Sequence, residues 1–166
     1  MDQTSRHATM AAIQAFQAHE ILLLQSRRYV DWLKLFTADL HYWMPVASVN
    51  ETGEAAAPDE LAHFDDTLET LTMRVRRAMS RFAWTEHPPS RIRYFVTPLW
   101  FDQQADNVEV DSNLMVYQTR LQREENLFVG TRKDVLRRVD GDFRIAARKV
   151  TLDRSVVAAK NITVFF

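Results

Sequence analysis

The feature that most restricts the fold is a change of period in mid-chain. Phe64, Leu68, Leu71, Val75, Met79 and Phe82 step by 4, 3, 4, 4 and 3, the spacing of one buried helical stripe. Asp65, Asp66 and Glu69 crowd the start of this stretch and Arg74, Arg76, Arg77 and Arg81 its end, matching the helix dipole. After residue 90 the step becomes two. Ile92, Tyr94 and Val96 alternate with Arg91, Arg93 and Phe95, and Val108, Val110, Leu114 and Val116 alternate with more polar residues. Two further runs, about 126–139 and 142–154, meet at Asp140-Gly141, a dipeptide suited to a type I′ hairpin turn because both positions need positive φ. A chain that is helical first and then forms an antiparallel meander is α+β, with helices packed on one face of a curved sheet.

The first third fits that plan. Ala12, Ile13, Phe16, Leu23 and Leu24 predict an amphipathic helix from Thr9 to about Gln25, with Glu20 turned away from most of them. A bend at Ser26-Arg27-Arg28 leads to a second helix at about Tyr29–Thr37, and residues 40–48 read as a strand with Pro45 confined to its edge or end. Residues 50–62 are the one long loop. At 166 residues the chain fits a single domain, 1–166, able to bury roughly 70% of its unfolded surface.

Composition narrows the chemistry. There is no cysteine, which excludes disulfides, thiol nucleophiles and thiolate ligands to zinc or iron–sulfur clusters. Three glycines in the whole chain leave little material for a phosphate cradle, and no nucleotide-binding, hydrolase or metalloprotease motif is present. The five histidines, His7, His19, His41, His63 and His87, include no pair at i,i+3 or i,i+4 spacing. Net charge is −1, divided as −7 over residues 1–70 and +6 over 71–166, a pattern that suits solvated faces or an oriented partner contact. The basic residues of the last hairpin, among them Arg132, Arg137 and Arg148, are interleaved with Asp134, Asp140 and Asp142, so exposed cross-strand ion pairs are expected rather than a nucleic-acid groove. The start of the chain lacks a basic stretch followed by an apolar one, and nowhere do 18 apolar residues run together, so a cytoplasmic protein with no membrane association is expected.

Three stretches hold candidate functional residues. Asp39 and His41, two apart on a strand, share a face; with Tyr42 and Tyr29 they are raw material for an acid–base pocket, and equally for a solvated acid beside a hydrogen-bonded histidine. Around Pro88-Pro89, the residues Trp84, Glu86, Pro88 and Arg91 make a stiff corner of the kind enriched at binding surfaces. Finally AAKNITVFF, residues 158–166, contains an uncharged, proline-free, β-prone window. Ile162, Val164 and Phe166 would face one side and Asn161, Thr163 and Phe165 the other, so an ordered segment is expected with Phe165 and Phe166 at or beside a subunit contact.

The stretches YVDWLKLFTADLHYWMPV (29–46), AHFDDTLETLTMRVRR (62–77), WTEHPPSRIRYFV (84–96), LFVGTRKDVLRR (127–138) and TLDRSVVAAKNITVFF (151–166) together resemble the small (β) subunit of Rieske-type aromatic-ring-hydroxylating dioxygenases, of the biphenyl, toluene and naphthalene type. The resemblance implies an NTF2-like cone, with amino-terminal helices on a curved, mostly antiparallel sheet. It implies a chiefly structural, non-catalytic role in aromatic hydrocarbon catabolism. Three such chains would lie under three large (α) subunits, α3β3. The Rieske [2Fe–2S] cluster and the mononuclear iron would belong to the large subunit, which cis-dihydroxylates the ring, and no cofactor, metal or catalytic residue is expected in this chain. The alternative is a stand-alone isomerase or dehydratase of the same fold, using a pocket formed by Asp39, His41, Tyr42 and Tyr29.

Overall fold

The computed structural model describes residues 2–46, 62–80, 89–121, 124–153 and 164–166. Helix α1 (Gln3–Gln25) begins a turn and a half before the apolar periodicity does, because Asp2 caps it by accepting from the Ser5 amide at 2.7 Å. It ends where Arg27 turns to φ +55, the bend foreseen at residues 26–28. Helix α2 (Tyr29–Leu33) is shorter than its apolar pattern suggests, because the Ile145 amide donates to the Leu35 carbonyl and draws the chain into the sheet. Strand β1 (Phe36–Pro45) therefore starts four residues before the predicted strand. Strand β2 (Ala62–Asp66) occupies what reads as the start of the next helix, and pairs Phe64 with Met44. Helix α3 (Leu68–Met79) is set by a capping box between Thr67 and Thr70, so Phe64 continues its apolar stripe from a strand.

The four long strands follow as an antiparallel meander: β3 (Arg91–Gln104), β4 (Asn107–Arg120), β5 (Glu124–Val139) and β6 (Asp142–Leu152). Asp140 and Gly141 turn between the last two at φ +53 and +91, as their identities demand. The sheet order is β2-β1-β6-β5-β4-β3, and among the described strands only β1 beside β6 is parallel. Helices cover one face. Val108, Val110, Leu114 and Val116 on β4, Phe128 and Leu136 on β5, and Ile145 and Val150 on β6 point toward them and are buried. Among the described residues no helix is long and apolar enough to cross a membrane.

Candidate functional site

The inward phase of β5 and β6 places charged residues where apolar ones would be expected. Arg132 and Asp134 alternate in step with Phe128 and Leu136, and Arg148 in step with Val150 and Leu152, so all three side chains point under the helices and are almost fully buried. The β5–β6 register sets Asp134 directly opposite Arg148, and the β1–β6 register sets Tyr42 next in the same row. From above, α1 lowers Glu20 onto them. Its neighbours on the helix face, Ile13, Gln17 and Leu24, are buried too, and Glu20 is wholly inaccessible to water.

Two acids and two arginines thus form a closed, charge-balanced cluster. Arg148 grips Glu20 through two bonds of 2.6 and 3.0 Å and Asp134 through two of 2.7 and 3.1 Å. Arg132 lies 3.1 Å from Glu20 and 3.0 Å from Asp134, although its Nε and Nη2 are not aimed to donate a hydrogen bond. The Trp32 indole N–H donates to Glu20 at 3.0 Å. Burial by itself would raise the Glu20 carboxyl; the charges of Arg148 and then Arg132, with bonds from Arg148 and Trp32, outweigh it and hold the group at about 2. Burial disfavours charge on Arg148 as well, yet Asp134 and Glu20 leave it more firmly protonated than a free arginine.

The space beside this cluster is taken by residues 164–166. Phe166 is fully buried, its ring edge-on to Phe128 at 5.4 Å, and its main-chain oxygen accepts from Arg148 at 2.8 Å and from the Tyr42 hydroxyl at 3.1 Å. The Phe166 amide donates to the same Tyr42 oxygen at 3.0 Å. Phe165 packs against Tyr29 and Trp32, with ring centroids 5.2 and 5.1 Å away, and under the Arg74 guanidinium. Arg74 in turn stacks on Phe64 and pairs with the buried Asp66. The core residues closing the cone therefore include a segment 124 positions away from its hydrogen-bond partner Tyr42.

This placement corrects three expectations. Phe165 keeps no bare face: it is buried in this chain's own core against Tyr29, Trp32 and Arg74, and Phe166 is buried likewise. Glu20 does not face solvent, and the pairs made by Arg148 and Arg132 are not exposed, because strand alternation directs them inward. The acid–base pocket is not assembled either. Asp39 and His41 do share a face, but it is the outer one, where Asp39 accepts two bonds from Arg137 at 2.9 Å and His41 meets Asp65 at 2.9 Å. Tyr42 projects to the opposite face, and Tyr29 lies beside Phe165. A bond from Thr37, then those from Arg137, lower the Asp39 carboxyl, which suits a fixed anion rather than a proton carrier. Of the corner residues, Trp84, Glu86 and Pro88 lie outside the described residues, while Arg91 is exposed at the start of β3 opposite Thr119.

The sequence does carry a signal for the buried cluster. Glu20 falls seven residues after Ile13 and four before Leu24, and Arg132, Asp134 and Arg148 hold the apolar phase of their strands. Four charges of balanced sign at inward positions imply mutual pairing. Among the described residues there is no group of three or more His, Cys, Asp or Glu able to hold a metal ion.

Comparison with known proteins agrees with this architecture. The β subunit of biphenyl 2,3-dioxygenase from Rhodococcus jostii RHA1 is 34% identical over 162 residues, covering 93% of this chain and 87% of that protein. The β subunit of chlorobenzene dioxygenase from Cupriavidus sp. PS12 is 35% identical over the same coverage. A solved naphthalene 1,2-dioxygenase with indole in its active site superposes at a TM-score of 0.82 and 19% identity, over 92% of this chain and 83% of that one, which shows the shared NTF2-like fold. Residues 19–159 match the family described as the ring hydroxylating beta subunit, and the chain belongs to that family.

Proposed function

We propose that this chain is a non-catalytic structural subunit of a multicomponent aromatic-ring dioxygenase, and that it takes part in the enzyme only within the complex. Its partner is the large subunit. Three copies of this chain trimerise and hold three large subunits in register, in the cytoplasm, and the Rieske cluster and mononuclear iron reside in the large subunits, where they supply the chemistry of ring dihydroxylation. A Rieske centre draws two cysteines and two histidines from one chain, and this chain has no cysteine.

The observation that carries this reading is the filled interior. In a cone-shaped fold the space under the helices is the natural place for a ligand pocket. Here Phe165 and Phe166 occupy it, and the charges that line it are neutralised by one another. Polar side chains committed to bonds with one another position a core rather than a substrate. The relatives' names, biphenyl and chlorobenzene dioxygenase β subunits, support the reaction class.

Co-expression with the cognate large subunit, followed by intact mass measurement, tests the proposal. Equal numbers of both chains, three of each, are expected, with ring dihydroxylation by the complex and none by this chain alone. Isolation of this chain as a lone, catalytically active species would contradict it.

A further inference from the structure

The five arginines of β5 and β6 are not all matched with acids. Arg132 and Arg148 pair with Glu20 and Asp134, and Arg137 pairs with Asp39. Among the described residues Arg138 and Arg144 meet no carboxylate. The Arg138 guanidinium lies over the Phe143 ring at 4.5 Å, and Arg144 donates one bond, of 2.8 Å, to the Lys34 carbonyl while its Nε has no partner. Both line the same cavity, of about 490 Å³, which opens between α1, the link from α2 to β1, and the β5–β6 turn. No residue of the buried charge cluster lines it. Ala15 and Phe16 on α1, with Leu35 and Phe143, give it apolar walls, Phe16 standing edge-on to Phe143 at 6.1 Å. Asp142 is the one acid of the lining, set against two guanidiniums, and Lys34 on the same rim is already paired with Asp31 at 2.8 Å.

We propose that this cavity binds a small aromatic carboxylate, its ring against Phe16 and Leu35 and its carboxylate between Arg138 and Arg144. Size is one argument. The volume falls within the roughly 300–1,000 Å³ of small-molecule sites, and its mixture of apolar walls and a few convergent polar groups is theirs too. Charge is the second. A guanidinium presents a planar fork of N–H donors that matches a carboxylate, and here two forks stand beside one cavity with no acid of their own. The bond to the Lys34 carbonyl holds Arg144 in place, so less order has to be imposed when a ligand arrives. Shape is the third. Arg138 already covers a face of Phe143, whereas Phe16 and Leu35 are only half-buried and leave apolar surface in water that a flat ring would cover. A neutral ring would leave the guanidiniums unused, and a bare anion would leave the walls wet. The cavity lies outside the filled interior, so its occupancy asks no movement of Phe165 or Phe166 and does not depend on which partners the chain has.

Calorimetric titration of the full chain with benzoate, benzyl alcohol and acetate, read also by ligand-observed NMR, tests this. Benzoate is expected to bind saturably at one site, about tenfold or more tighter than benzyl alcohol, which lacks the charge, or acetate, which lacks the ring. Arg138→Met and Arg144→Met should each weaken benzoate about tenfold. Ala15→Trp, which fills the cavity from an exposed helix position, should abolish binding, and Lys133→Met on the outer sheet face should leave it unchanged. Thermal unfolding is followed for every variant; Arg138→Met breaks no hydrogen bond of its side chain among the described residues and keeps the test decisive should Arg144→Met melt early. Absence of saturable benzoate binding overturns the proposal. Benzyl alcohol bound as tightly as benzoate would make the cavity a mere apolar crevice, and acetate bound as tightly would make it a mere anion patch; either result overturns it. Benzoate binding untouched by Arg138→Met or by Ala15→Trp places the ligand elsewhere and overturns it as well.

Discussion

Glu20 and Arg148 are single residues on which the interior depends. Removing one member of a buried, bonded ion cluster leaves its partners uncompensated, so Glu20→Gln or Arg148→Met should cost about 3–5 kcal/mol, measured by urea unfolding. Replacing the exposed partner Asp39 by Asn should change stability by less than about 1 kcal/mol, since that pair lies in water. A pH dependence follows from the same group. The Glu20 carboxyl is held at about 2 when folded against an ordinary value near 4.5, so its stabilising contribution is complete above pH 4.5 and lost as pH falls toward 2. Unfolding midpoints in urea between pH 6 and 2.5 should therefore fall more steeply for the wild type than for Glu20→Gln; parallel curves would contradict the assignment. At this scale the sequence was half legible. The alternation on β4 locates its buried valines directly, whereas the charged residues at inward positions of α1, β5 and β6 suggest solvent by their chemistry and the core by their phase, and the phase decides.

Among the elements, the β5–β6 hairpin and the segment 164–166 carry the most specific constraints. Gly130 on β5 faces the main chain of Thr151, where an added Cβ would lie 2.1 Å from the carbonyl oxygen. Gly130→Ala must therefore push two paired strands apart and should cost about 1–3 kcal/mol. Gly141, with open space around it and φ +91, should lose only about 1 kcal/mol on change to Ala, from backbone strain alone. Both are read by thermal or chemical unfolding. Phe166→Ala removes a ring packed on Phe128 and should lower stability by about 3–5 kcal/mol in the isolated chain, independent of protein concentration. A loss that appears only on dilution would return the segment to a subunit contact. The helices and the four-strand meander were legible because long periodic stretches announce their period. Strand β2 was not, because five residues flanking a helix continue that helix's apolar stripe, and only pairing with β1, remote in sequence, makes them a strand. The position of residues 164–166 was legible as ordered but not as internal, since a short apolar segment says that it is covered and not by what.

For the whole molecule, the fold and the family follow from agreement between helix order, sheet topology and the ring hydroxylating β-subunit match, and the role follows from what the interior holds. A cone filled by its own phenylalanines, with its charges internally paired, contributes a rigid body and surfaces. Chemistry and assembly then separate: changes in this chain should alter how much complex forms, not how fast each complex works. The most direct measurement is turnover per assembled complex, with complex quantified by mass, for Asp39→Asn, His41→Gln and Tyr42→Phe beside the wild type. Turnover per complex is expected to stay within about twofold for all three while yield varies, with Tyr42→Phe, which loses the buried bonds to Phe166, giving the least complex. Fully assembled complex whose turnover falls about tenfold or more, a barrier increase of about 1.4 kcal/mol, would place catalysis in this chain and contradict the account.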